Sequence, residues 1–195
     1  MKRVAAIVGV FLSLAVSSHA ATNVTATGTL KASVGTTFKV QYYTPDSNVL
    51  YTDTIPFTNI DPSKSYALPD RRSDNDGKSD IGLYCISSDN TTWYLKITIS
   101  GGNLPDNKLK YWCSQPYVWN GTSSVQTDGT VSPNPPAWTP IPQGATRTIY
   151  TSGSNDTANA PWGTLVTLSF QVDTTGLVAN TPYAVQVTYT MSTTP

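Results

Sequence analysis

The stretch DIGLYCISSDNTTWYLKITIS, residues 80–100, decides the fold class. Its two halves, 80–87 and 91–100, are strand-like runs broken by Ser88-Asp89-Asn90. Short polar side chains of that kind bond their own backbone and favour turns. In the second run Trp93, Leu95, Ile97 and Ile99 share one face, while Tyr94, Lys96 and Thr98 share the other. A period of two is the signature of a strand with one buried and one wet face. The stretch therefore predicts a β-hairpin.

Outward from this hairpin, similar runs recur between turn signals. They are 36–43, 49–60, 108–112, 145–151, 163–173 and 182–192. The opening segment, Ala21 to Val34, also alternates: Val24, Ala26, Gly28, Leu30, Ala32 and Val34 fall on one side of a single strand. Between the runs lies an irregular segment, 120–144, that contains Pro133, Pro135, Pro136, Pro140 and Pro142. Proline cannot donate to a ladder, so this segment reads as an ordered surface loop or edge excursion. All twelve acidic residues are Asp, a turn and cap residue, and the helix former Glu is absent. The expectation is an all-β, immunoglobulin-like sandwich of about seven to ten short strands over 35–195.

Residues 1–20 combine a basic start at Lys2 and Arg3, an apolar run from Val4 to Val16 and small residues at Ser18 and Ala20. That pattern reads as a secretory signal peptide. The implied location is secreted or at the cell surface, with no membrane insertion. The leader carries two of the twelve basic residues, so ten face twelve acidic ones, a balance of −2. Such a balance gives no pull toward nucleic acid. In an exported chain the two cysteines, Cys85 and Cys113, read most simply as one disulfide, with two buried thiols as the plain alternative.

Catalytic chemistry finds little to work with. The one histidine, His19, leaves with the leader, which removes Ser-His-Asp and Cys-His arrangements. No cofactor motif is present, and the expectation is a non-enzymatic protein without cofactor. Asp74, Asp76 and Asp80 around Gly77 resemble a calcium loop, but Arg72 stands at the first ligand position, so they are weak metal candidates and no metal is assigned. Trp112, Trp119, Trp138 and Trp162 sit in or beside loops, where their faces offer stacking surfaces for sugars or partner proteins. The competing role for them is to cap the ends of the core.

Three stretches together resemble the pilin subunits of chaperone–usher fimbriae and spore-coat-U-like secreted proteins. They are NVTATGTLKASV (23–34), IGLYCISSDNTTWYLKITISGG (81–102) and TLVTLSFQVDTTGLVANTPYAVQVTYTM (164–191). The resemblance implies a structural subunit of an extracellular pilus, with other copies or related subunits and a periplasmic chaperone as partners. It implies that 21–34 is an N-terminal extension whose Val24, Ala26, Gly28 and Leu30 form a donor strand. The acceptor would be the C-terminal strand of a neighbouring subunit, with Tyr183, Val185, Val187 and Tyr189 facing the donor. This is β-augmentation, in which the ladder supplies affinity and alternating side chains supply register. The competing assignment makes 21–34 the first strand of its own sandwich. The alternative function is a carbohydrate- or surface-binding adhesin that takes glycans.

Overall fold

The structure, a computed structural model, describes residues 23–27, 32–34, 38–42, 49–51, 54–58, 60–73, 77–87, 91–119, 122–158, 163–179 and 181–195. The leader read at 1–20 lies outside these residues. In chain order the strands are β1 (Asn23–Thr27), β2 (Ala32–Val34), β3 (Phe38–Tyr42), β4 (Tyr66–Ala67), β5 (Ile81–Ser87), β6 (Tyr94–Gly102) and β7 (Leu109–Cys113). They continue as β8 (Tyr117–Trp119), β9 (Ser124–Gln126), β10 (Thr130–Val131), β11 (Thr139–Pro140), β12 (Thr146–Thr151), β13 (Thr164–Asp173) and β14 (Val185–Ser192). A single helical turn, α1 (Ser154–Ala158), precedes β13.

The strands form two antiparallel sheets. One runs β1-β14-β6-β12-β10, and the other β11-β7-β13-β5-β3-β2, with β4 and β8 also on β13. The all-β fold expected from the alternation is the fold that forms. The two halves of the 80–100 hairpin, β5 and β6, lie in different sheets and do not pair with each other. Their buried faces meet across the core instead. Trp93, Leu95, Ile97 and Ile99 are buried, as their spacing predicts, opposite Ile81, Leu83, Val166, Leu168 and Phe170 of the second sheet. Each such fully buried side chain contributes on the order of 1.5–3 kcal/mol.

Several expectations are corrected. The opening segment is not one strand: β1 pairs with β14 in the first sheet, while β2 pairs with β3 in the second. Among the described residues the run 49–60 forms no strand, and an isolated bridge joins Val49 to Ser79. Pro56 removes a backbone donor from the middle of that run. The proline-rich segment is an edge excursion with short strands of its own. It carries β10 at the edge of the first sheet and β11 at the edge of the second, so it crosses from one layer to the other. Val131 and Ile141 are buried beneath this crossing.

The cysteines are also corrected. Cys85 and Cys113 are both free and buried. They flank β13 on opposite sides, Cys85 opposite Thr164 and Cys113 opposite Leu168. Strands on either side of a third lie about 9.5 Å apart, beyond the roughly 7 Å between Cα atoms that a disulfide tolerates. Burial raises both thiols, Cys113 to about 12 and Cys85 well above its usual value, with Asp156 adding to the rise at Cys85. Both are therefore thiols at neutral pH.

A charged pair completes the second sheet. On one side of β13, β5 pairs as far as Leu168 and β4 begins at Val172. Phe170 lies in the gap. Its N–H donates to Asp80 Oδ2 at 2.6 Å, and its carbonyl accepts from Arg72 Nη2 at 2.9 Å. Arg72 Nη1 closes the triangle on Asp80 Oδ2 at 2.9 Å, with the two side chains 6% and 0% exposed. The ion pair thus stands in for the peptide group of an absent strand, keeping the buried ladder satisfied.

Candidate functional site: an apolar groove along the C-terminal strand

The groove starts from the way β14 enters its sheet. Gly102 ends β6 at a φ of +91°, and any side chain there would collide with the Ala184 backbone. Glycine at 102 lets the two chains approach and fixes where β14 begins. The side chain of Asn103 then clamps this corner, accepting from Ala184 N and donating to Pro182 O, both at 2.8 Å. Past the corner, Tyr183, Val185, Val187 and Tyr189 face the second sheet across an apolar cavity of about 420 Å³. Leu109, Phe170 and Val172 form the opposing wall, and Ile55 and Phe57 form the rim.

The four C-terminal residues singled out in the sequence all line this cavity. Their burial is graded. Tyr189 is 2% exposed at the inner end, where its ring meets Tyr42 edge-on at 6.4 Å between centroids. Burial drives the Tyr189 phenol well above its ordinary value, with Tyr42 and Asp80 adding to the rise, so it stays neutral. Val185, Val187 and Tyr183 remain half-buried. Tyr183 is oriented by an N–H bond from Val178 to its hydroxyl at 3.0 Å.

Beside this cavity the register of the opening strand is explicit. Asn23 pairs with Ser192, Val24 with Met191, Thr25 with Thr190, Ala26 with Tyr189 and Thr27 with Thr188. In the single chain, β1 therefore lies against its own C-terminal strand. Gly28 and Leu30 lie outside the described residues. Ala32 is already committed to the other sheet, opposite Val40. Among the described residues no strand flanks Val185–Val187 on the β1 side.

The other candidates separate. Trp112 of β7 and Trp138, the residue before β11, come together with centroids 5.9 Å apart and rings tilted by 60°. Arg72 lies 5.4 Å from the Trp138 ring centroid, so this tryptophan covers the buried ion pair. Trp119 is placed in β8, and Trp162 lies outside the described residues. Asp74 and Asp76 also lie outside them, while Asp80 is held by Arg72 and Phe170. Among the described residues no group of three or more His, Cys, Asp and Glu gathers, and no helix is long and apolar enough to cross a membrane.

A polar cluster that the sequence did not signal pins the far end of the sandwich. Asp156, buried, accepts from Thr164 Oγ1 at 2.6 Å, from Gly153 N at 2.7 Å and from the Tyr150 hydroxyl. Burial raises its pKa; the hydrogen bonds from Thr164, Tyr150 and Gly153 pull the other way. An Asp in a Ser-Asn-Asp-Thr stretch looks like an ordinary turn, which is why this role was not legible.

Comparison with known proteins returns no matching family model, no matching curated protein and no matching solved structure.

Proposed function

We propose that the chain is a structural subunit of an extracellular fibre that assembles by β-strand complementation, the opening segment of one copy lying along the C-terminal strand of the next. The observation that carries this reading is the register of β1 beside the half-filled groove. Continued in a straight line past Thr27, that register sets Gly28 opposite Val187, Leu30 opposite Val185 and Ala32 opposite Tyr183. Residues opposite one another in an antiparallel pair share a face, so this alternating set would point into the cavity. In the single chain Ala32 does not lie opposite Tyr183, because Ala32–Val34 is taken up in β2. A neighbour's segment would make the same pairings in trans once its own residues 32–34 leave β3. Exchanging an intrachain strand for an identical one from another copy is an inexpensive route to assembly, and a head-to-tail contact that does not close gives a filament. The leader-like residues 1–20 support assembly outside the cell, and the pilin resemblance points the same way.

Sizing and electron microscopy of the purified protein over a concentration series test this. Filaments are expected, and deletion of residues 21–32 should abolish them while leaving a folded chain. A strict monomer that unfolds on this deletion would make 21–34 an ordinary first strand.

A second reading is favoured by the Trp112–Trp138 pair, half-buried on one face of the second sheet. It is a carbohydrate-binding adhesin that stacks a sugar on these rings. Glycan-array binding that Trp112→Ala abolishes would support it.

A further inference from the structure

The groove's rim is a strap with a fixed root and a latched tip. At the root, Tyr51 N donates to Asp80 O at 2.8 Å and Leu50 N to Ser79 O at 3.1 Å. The Tyr51 hydroxyl accepts from Arg71 N at 2.6 Å, and the Arg71 guanidinium lies 4.9 Å from the Tyr51 ring centroid. Beyond this root, Thr54 to Phe57 run along the cavity mouth, with Ile55 and Phe57 half-buried against the core. Among the described residues, Asp70 holds the tip. The Asp70 carboxylate accepts from Thr58 N at 2.7 Å and from Thr58 Oγ1 at 2.9 Å, while Asp70 N donates to Pro56 O at 2.9 Å. Both Asp70 and Thr58 are exposed.

We infer that residues 54–58 are an autoinhibitory strap, latched by Asp70, whose release opens the groove to the strand of another copy. The inference rests on the proposed strand-complementation reading and names the regulation of that site. Ile55 and Phe57 present two apolar side chains at the two-residue spacing of an inserted strand, so the strap is a partial intrachain substitute for the donor. It lacks the donor's ladder: Pro56 has no N–H, and among the described residues 54–58 belong to no strand. A strand that brings both ladder bonds and side chains outcompetes a segment that brings side chains alone. The closed strap then keeps apolar walls covered until a partner arrives, which limits unspecific association. The asymmetry between an internal root and a solvent-exposed tip dictates where opening starts.

The probe is a synthetic peptide of residues 21–34, added to the purified chain and followed by fluorescence anisotropy. Three forms are compared: the natural sequence, Asp70→Ala, and a Thr58→Cys/Asp70→Cys double variant locked by a disulfide verified by mass. Hydrogen exchange at 54–58 and near-UV circular dichroism run alongside. Removing the latch should speed both exchange at 54–58 and peptide association by about ten- to a hundredfold, as loss of a hydrogen bond to a charged group implies. The locked form should bind no peptide until reduced. Equal association rates in all three forms would overturn the strap while leaving strand complementation standing. Unchanged exchange in Asp70→Ala would also overturn it, because Asp70 would then not be the latch. Faster exchange in Asp70→Ala without peptide binding by any form would remove the complementation reading itself, and the strap with it.

Discussion

The two flanks of this sandwich are closed in different ways. At one flank the proline-rich crossing carries the chain from β10 to β11, and Val131 and Ile141 are sealed beneath it. The Tyr111 hydroxyl donates to Ser132 O at 2.6 Å and ties the crossing to β7 of the second sheet. Burial pushes that phenol up to about 12, so the tie stays a neutral hydrogen bond. At the other flank β1 covers only the Thr188–Ser192 half of β14, and Val185 and Val187 look onto an apolar cavity. Edge strands are normally blunted or covered, since a free ladder recruits other chains. Prolines do this at the first flank. At the second, a short strand and an unladdered strap do it incompletely. The contrast teaches that incompleteness here is local, confined to the strand that the opening segment already recognises.

The contrast can be sharpened by mutation, starting with the largest effect. Arg72→Ala leaves Asp80 buried without its cation, beside the Phe170 ladder, and should cost about 3–5 kcal/mol in urea-induced unfolding. A loss below about 1 kcal/mol would mean that the ion pair does not complete the sheet. At the closed flank Ile141→Ala opens a cavity in a sealed core and should cost about 2–5 kcal/mol by the same measurement. At the open flank Val187→Ala removes a half-buried methyl pair and should cost under about 1 kcal/mol in the monomer, while weakening filament formation. Equal losses at Ile141 and Val187 would erase the distinction between the flanks.

The smallest effect is a pH dependence. Asp156 has its pKa raised by burial, so its contribution favours the fold below its unfolded value and is lost as pH rises through the folded one. Asp173 behaves oppositely. Burial raises it, but bonds from Thr175 and Lys110 outweigh this and hold it at about 2, so its contribution is lost only as pH falls toward that value. Thermal unfolding between neutral pH and pH 4 should therefore show a gain that Asp156→Asn flattens and Asp173→Asn does not. No difference between the two variants would contradict the assignment. The thiols offer a separate check: both cysteines should resist a thiol reagent in the folded protein and react together on unfolding.

Much of this architecture was legible because alternation reports a strand's faces directly. Trp93, Leu95, Ile97 and Ile99 are buried together, and Tyr183 to Tyr189 share a wall, as their spacing implied. Alternation says nothing about which strands become neighbours. That is why β5 and β6 seemed to be one hairpin and Cys85 and Cys113 seemed to be partners. The first depends on β12 and β14, which take both edges of β6, and the second on β13, which inserts between the cysteine-bearing strands. The Asp70–Asp80 stretch read as a weak resemblance to a calcium loop. Its Arg72 and Asp80 instead repair a gap in a ladder, a role set by the distant Phe170. The run 49–60 has strand composition, but Pro56 and the Asp70 latch make it a strap.

The central claim is that a strand from another copy fills the groove in the register of β1. Mixing two singly substituted proteins tests it most directly, one carrying Leu30→Cys and the other Val185→Cys, under mild oxidation. Cys85 and Cys113 are buried in both and stay silent. Because each copy carries only one new thiol, any mixed disulfide joins two molecules. A 30–185 cross-linked heterodimer is expected, confirmed by peptide mass, that disappears when Gly28→Phe is added to the donor. Absence of that cross-link at concentrations where filaments form would contradict it.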